Sequence, residues 1–134
     1  MTNSGESYVM LDSTRSIAQS IQHAIIRAYA EKNKLNICFY GAEFKGLEKK
    51  HFQLKNYIFN YPTDNFIFYS IYQFHDKEKG FDINLIKKVL LNHKAIHFAA
   101  ENIQILTFKD LEKIKIELIA SHINIYNREK FSIK

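Results

Sequence analysis

Short apolar runs and longer apolar patterns with helical spacing alternate along this chain. The runs predict β-strands, which are Tyr8–Leu11, Asn36–Tyr40, Phe66–Ile71, Ala95–Ala99 and, as a short fifth strand or an extended turn, Ile103–Leu106. The helical patterns predict α-helices, which are Ser16–Lys32, Leu47–Phe59, Asp82–Leu91 and Phe108–His122. The tail Asn124–Lys134 stays unassigned.

The boundaries follow from residues that begin or end regular structure. Ser13, Thr14 and Ser16 are N-cap candidates for the first helix, since their hydroxyls accept backbone N–H groups there. Gly41 is predicted to end the second strand, and Tyr61-Pro62 to stop the second helix. With one Pro and four Gly, the chain has no composition typical of a flexible linker. We therefore predict one domain over residues 1–134, with its core at about 8–122.

Strands that alternate with helices of this length are typical of βαβ units. The strands are mostly continuous apolar runs, as expected when helices cover both faces of a parallel sheet. The predicted fold is α/β: a single three-layer domain whose mostly parallel sheet has four or five strands, flavodoxin-like or resolvase-like.

In such open sheets a ligand crevice lies outside the carboxyl ends of the strands. Several predicted strands end in polar or charged residues, so these side chains are expected at one edge of the sheet. The stretches concerned are Asp12–Arg15, Gly41–Glu43, Ser70–Gln73 and Ala100–Asn102. Polar residues also follow strands simply because a strand must leave the core, so position alone does not establish a site.

The chain carries no catalytic motif that is specific enough to name a reaction. No glycine-rich phosphate loop is present, and Ser70 has no glycine neighbours of the kind found at a nucleophile elbow. Cys38 lies within an apolar strand and is expected to be inert. The His93–His97 and His97–Glu101 spacings suit a metal only on a helix, whereas a strand places such residues about 13 Å apart. We predict no metal site and no cofactor.

The remaining candidates are acid/base groups and hydrogen-bonding groups. Glu43, His97 and Glu101 are the catalytic candidates, because carboxylates and a tuned imidazole can move protons near neutral pH. His97, between Ile96 and Phe98, also fits a buried, hydrogen-bonded core residue. The ligand-binding candidates are Arg15, Gln19, Arg27, Ser70 and Gln73.

The composition excludes some classes of protein but does not indicate a function. The formal net charge is +5, but the lysines are scattered and no arginine-rich arm is present, so we do not predict nucleic-acid binding. No apolar run approaches 18 residues, which predicts no transmembrane helix. The N-terminus lacks a signal-peptide pattern and Cys38 is the sole cysteine, so a reduced cytoplasmic location is expected.

Four motifs carry a resemblance to a family. They are QSIQHAIIRAY at 19–29, AEF at 42–44, YSIYQF at 69–74 and IHFAAEN at 96–102. Over Ser16–Ile105 the chain resembles the bacterial sporadic carbohydrate cluster proteins, which occur in surface-polysaccharide gene clusters. It departs from their pattern at Ala18, where they have Pro, and in its first strand. The resemblance implies a role in surface carbohydrate biosynthesis, with a sugar or nucleotide-sugar bound at the strand-end crevice.

The order of elements also resembles the catalytic domain of serine recombinases. Those proteins have a Tyr-x-Arg-x-Ser pattern in the first strand, whereas this chain has Tyr8, Met10 and Asp12 at the matching positions. The nucleophilic Ser and its Arg are therefore absent from the pattern. This resemblance implies the alternative function, a non-catalytic interaction module that dimerises or scaffolds partners. Ile116 and Ile125, off the main apolar stripe of the last helix, would serve a homodimer.

Overall fold

The computed structural model describes residues 6–12, 18–43, 64–76 and 79–131, with side chains over 18–38, 64–75 and 79–125. The predicted helix Leu47–Phe59 and the candidate Arg15 lie outside these residues, as do the proposed N-cap residues of the first helix.

The described elements alternate between strands and helices. The strands are β1 (Glu6–Asp12), β2 (Asn36–Glu43), β3 (Asn65–Phe68), β4 (His75–Asp76), β5 (Gly80–Phe81), β6 (Ala95–Phe98) and β7 (Ile103–Ile105). The helices are α1 (Gln19–Lys32), α2 (Ile83–Leu91) and α3 (Phe108–Phe131), and a 3-10 turn spans Ile71–Phe74.

Five strands form the main sheet, in the order β2-β1-β3-β6-β7. The first four are parallel, and β7 runs antiparallel to β6. Met10 lies opposite both Gly41 and Phe68, and Phe68 lies opposite Phe98, so the carboxyl ends of the parallel strands are level. The predicted α/β class is confirmed, and the polar strand ends that the structure describes share one edge.

Alternating residues of β3 enter two different apolar clusters. Phe66 and Phe68 belong to the larger cluster with residues of α2 and α3, whereas Ile67 packs with Ile26 and Ala30 of α1. Because successive strand residues point to opposite faces, α1 covers one face of the sheet and α2 and α3 cover the other. β3 is thus buried on both faces, and Ser70 and Gln73 follow shortly after its last residue.

Several predicted boundaries were wrong. β2 continues through Gly41 to Glu43, because Gly41 pairs with Met10 in the parallel ladder. β3 ends at Phe68 rather than Ile71, because Ser70 begins the 3-10 turn. The last helix runs on to Phe131, so most of the unassigned tail is helical. The sequence pattern also missed the small antiparallel pair β4–β5, whose two-residue strands are too short to show periodicity.

The cap of α2 allows a direct test of how this helix begins. Oδ1 of Asp82 accepts a hydrogen bond of 3.0 Å from the backbone N–H of Leu85. We expect Asp82→Ala to lower the free energy of unfolding by about 1 kcal/mol, as measured by urea denaturation, because an N-terminal N–H loses its acceptor. Asp82→Asn retains an acceptor and should stay close to the parent. Equal losses in both variants would contradict the capping role.

Among the described residues, no helix combines the length and the apolar character that crossing a membrane requires.

Candidate functional site

The polar cluster at the carboxyl edge of the sheet is built from Ser70, Gln73 and Glu101. Backbone hydrogen bonds bring its two halves together, since the N–H of Ala100 donates to the carbonyl of Tyr69 over 2.8 Å. The ladder between the chains of β3 and β6 therefore extends past both strands, and it places Ser70 beside Glu101.

Ser70 and Gln73 cap the 3-10 turn reciprocally. The Ser70 hydroxyl accepts from the N–H of Tyr72 over 3.1 Å, and Oε1 of Gln73 accepts from the N–H of Ser70 over 3.0 Å. This is a capping box, which satisfies backbone donors at the start of a helical turn. The apolar strand is followed at once by hydrogen-bonding side chains because the chain must turn there while still buried.

Glu101 fastens this turn to the neighbouring strand. Its Oε2 accepts from the Ser70 hydroxyl over 2.7 Å, and its Oε1 accepts from the backbone N–H of Ile71 over 2.8 Å. Both carboxylate oxygens are thus engaged within the protein. Hydrogen bonds to an ionised acceptor are short and strong, so Glu101 acts as a clamp between the exits of β3 and β6.

His97 lies apart from that cluster, within β6 and on the face covered by α1. It is 0% exposed. Its Nε2 is 2.8 Å from Oδ1 of Asn65, and its Nδ1 is 2.7 Å from the hydroxyl of Tyr29. Since Oδ1 can only accept, Nε2 carries the proton and Nδ1 accepts from Tyr29. Both ring nitrogens are bonded inside the core, which matches the interpretation of His97 as a buried structural residue.

Burial also sets the protonation of this network. Desolvation lowers the pKa of His97 to about 4, because a charged imidazolium loses its hydration in the core. Desolvation raises the pKa of Tyr29 to about 12. Near neutral pH the ring is uncharged and the phenol keeps its proton, so the Tyr29–His97–Asn65 chain is a neutral hydrogen-bond network.

Gln19 and Arg27 lie on α1 and not at the turn that carries Ser70 and Gln73. Gln19 begins α1 and is exposed, and Arg27 is exposed two turns further along. Glu43 ends β2 beside Asp12 in the ladder, and its side chain is outside the described set, as is Arg15. The structure therefore brings together Ser70, Gln73 and Glu101, and it separates His97 from them.

Sequence reasoning missed two pairs that only folding creates. Tyr29 and His97 are 68 residues apart, and His75 and His122 are 47 apart with ring nitrogens at 3.0 Å. Gln22 was also missed as a buried polar residue, although it lies on the same face of α1 as Ile26 and Tyr29. The signal that could have marked Gln22 is this i, i+4, i+7 spacing with buried apolar residues.

An apolar stripe is exposed on α3. Ile116, Ile119 and Ile123 are 78%, 51% and 51% exposed. Residues three, four and seven apart lie on one side of a helix, so these three form a continuous row, which we call the α3 stripe. Leu118 follows Ile116 by two residues, about 200° around the helix, and it is buried in the core. The helix thus has two apolar sides.

No protein-family model and no curated protein matches this chain. Neither comparison therefore supports the resemblance to the carbohydrate cluster proteins. Among solved structures, the chain is similar to the N-terminal catalytic domain of TP901-1 integrase, with 21% identity and a TM-score of 0.64. The alignment covers 94% of this chain and 98% of that domain. The likeness is one of fold, and it supports the resemblance to serine recombinase catalytic domains.

Proposed function

We propose that this chain is a non-catalytic interaction module with a recombinase-like fold, and that it forms a homodimer through the α3 stripe. The observation that carries the proposal is the second apolar side of α3, exposed opposite the side that packs on the core. The similarity in fold to a recombinase domain supports the recombinase-like part of the proposal, and a shared fold does not imply a shared reaction.

The non-catalytic part of the proposal has its support in β1. Met10 and Asp12 stand where the serine recombinase pattern has Arg and the nucleophilic Ser. Asp12 pairs with Glu43 in the β1–β2 ladder, so two acidic residues end these neighbouring strands. A carboxylate at this position cannot form the phosphoserine ester that a hydroxyl forms, because its product with a phosphate is an acyl phosphate.

The dimer part of the proposal has its support in α3 itself. Twenty-four residues of helix measure about 36 Å, enough to extend a contact well beyond one turn. The three isoleucines follow the i, i+3, i+7 spacing of a coiled-coil seam, which buries such rows between two helices. Lys113, Lys115, Glu112 and Glu117 are interspersed along the same stretch, so charges of both signs can face a second copy.

The test compares two matched substitutions in the full chain. We expect the parent protein to behave as a dimer in light scattering coupled to size exclusion, and Ile119→Lys to be a monomer, since a buried lysine without a partner opposes association. Ile21→Lys is the control, because Ile21 is 52% exposed, nearly the same as Ile119, but lies on α1. It should leave the dimer intact.

A parent protein that is strictly monomeric at all concentrations would overturn the dimer. So would an Ile119→Lys variant that dimerises as well as Ile21→Lys does. Circular dichroism on both variants separates loss of association from loss of folding.

The carbohydrate hypothesis is the second candidate function. It assigned Ser70 and Gln73 to hydrogen bonds with the ligand and Glu101 to acid/base catalysis. In the structure these three residues hydrogen-bond to one another and to backbone N–H groups. A bound ligand would have to compete with those bonds, which gives this hypothesis less support than the interaction module.

A thermal-shift panel of sugar nucleotides, free nucleotides and short DNA at low salt tests the alternative. A ligand at 100 times its Kd stabilises the folded state by about 2.7 kcal/mol, which raises Tm by on the order of 10 °C for a domain of this size. We expect no such shift. A shift with one sugar nucleotide that Gln73→Ala abolishes would establish the carbohydrate function instead.

A further inference from the structure

Two histidines from separate elements meet beside the β4–β5 pair. His75 belongs to β4 and His122 to α3, and Nε2 of the first is 3.0 Å from Nδ1 of the second. We infer that these two rings form a binding site for a divalent first-row transition metal ion, with Zn²⁺ as the ion to test. The site shares no residue with the α3 stripe or with the polar cluster around Ser70.

The chemistry of the two donors fits such an ion. Neutral imidazole nitrogen is a preferred ligand of zinc, copper and nickel. In tetrahedral zinc sites the Zn–N bond is about 2.0–2.1 Å, which sets two ligating nitrogens about 3.3–3.4 Å apart. The observed 3.0 Å therefore needs to widen by only a few tenths of an ångström. The ring centroids are 5.1 Å apart with planes at 56°, so the rings meet through their nitrogens rather than stack face to face.

Neighbouring side chains hold both rings in place before any ion binds. The ring of His75 packs against Phe81 at 4.7 Å and against Tyr72 at 6.1 Å between centroids. His122 lies over Gly80, where an added Cβ would be 3.3 Å from the ring. Ligands fixed by packing lose little conformational entropy on binding, so the pair is organised for chelation.

Without an ion, one ring donates its N–H to the lone pair of the other. Binding a cation between them requires lone pairs on both facing nitrogens. The donating ring supplies its lone pair by moving its proton to its other nitrogen, and two neutral rings then bind the ion without net loss of a proton. The hydrogen bond between the rings and the bound ion use the same two nitrogens, so each excludes the other.

The pair supplies two ligands only. Within the described residues no group of three or more His, Cys, Asp or Glu side chains lies close enough to share one ion. The remaining coordination positions would be taken by water or by a donor from another molecule. His75 and His122 are both half-buried. A bound ion would join the β4–β5 pair to α3.

The test titrates Zn²⁺ alone into the chelator-treated full chain by calorimetry. We expect one ion per chain, and a loss of affinity of about a hundredfold in His75→Gln and in His122→Gln, because removing one ligand abolishes the chelate. His93→Asn is the control. His93 is exposed in a turn with φ of 61°, a conformation that Asn tolerates, and its replacement should leave binding unchanged.

A second measurement on the unsubstituted protein guards against variants that fail to fold. One equivalent of Zn²⁺ should shift the ring ¹⁵N resonances of His75 and His122 and leave those of His93 in place. Equal affinity in all three variants would overturn the inference, and so would ring resonances of His75 and His122 that do not respond. Failure of the proposed dimer would leave this result unaffected, since Ile119→Lys retains both histidines.

Discussion

Lowering the pH from 7 to 4 is expected to remove about 3 kcal/mol of unfolding free energy through His97 alone. The pKa of this buried ring is about 4 in the folded protein, against 6.5 for an ordinary histidine. The unfolded chain therefore takes up a proton first as the pH falls. The stabilisation is fully present above pH 6.5, declines below it and is lost by about pH 4. Urea denaturation at pH 7, 6, 5 and 4 measures it.

Carboxyl groups also take up protons as the pH falls towards 4. The contribution of His97 is therefore measured by comparing the pH dependence of stability between variants. His97→Gln has no ring to protonate and should show a flatter dependence of stability on pH between 6.5 and 4, whatever its stability at pH 7. His93→Asn removes an exposed histidine and should keep the steep dependence of the parent. If His97→Gln and the parent lose stability in parallel as the pH falls, the buried neutral ring is not the cause.

Glu101→Ala is expected to lower the free energy of unfolding by about 3 kcal/mol, because it removes the acceptor of two charge-assisted hydrogen bonds. The Ser70 hydroxyl and the Ile71 N–H would lose their partner at a buried turn. Glu101→Gln keeps one carbonyl oxygen and should cost about half as much. Equilibrium denaturation in urea at pH 7 compares the three proteins.

Glu31→Ala on the exposed surface of α1 is the matched control, with an expected change within about 0.5 kcal/mol. Were Glu101→Ala to match that control, the clamp would contribute nothing to stability. Glu101 would then return as a candidate for the acid/base role that its position at the edge of the sheet suggests.

The local pattern of the chain predicted most of the described elements correctly. α2 is a clear case, because Ile83, Ile86, Val89 and Leu90 repeat at helical spacing, and the last three of them are buried. β6 is another, since Ala95–Phe98 is apolar except at His97 and is buried at every position. Both signals are local, and tertiary packing agrees with them.

The errors in the fold occur where a tertiary contact outweighs a local preference. Gly41 ordinarily weakens a strand, but pairing with Met10 carries β2 through it. Ile71 is apolar and suits a strand, but the capping box of Ser70 and the clamp of Glu101 turn the chain first. In each case the deciding partner is distant in sequence or belongs to another strand.

The candidate site shows the same division. That polar residues would gather at one edge follows from the order of strands and helices, because parallel strands end on the same side. Whether those residues face a ligand or one another depends on hydrogen bonds across strands. Ser70 and Glu101, which are 31 residues apart, form a hydrogen bond with each other in the structure.

The sequence by itself determined the types and order of the elements, the α/β class and the shared edge of polar residues. The element types follow from the side-chain periodicity, which is two residues in a strand and 3.6 in a helix. The parallel sheet follows because parallel strands need a long crossover connection, usually a helix. Only the tertiary structure decided that His97 bonds to Tyr29 and Asn65, that His75 meets His122, and that the α3 stripe stays exposed. Such pairings depend on strand register and on which side of a helix meets the sheet, and no local pattern specifies either.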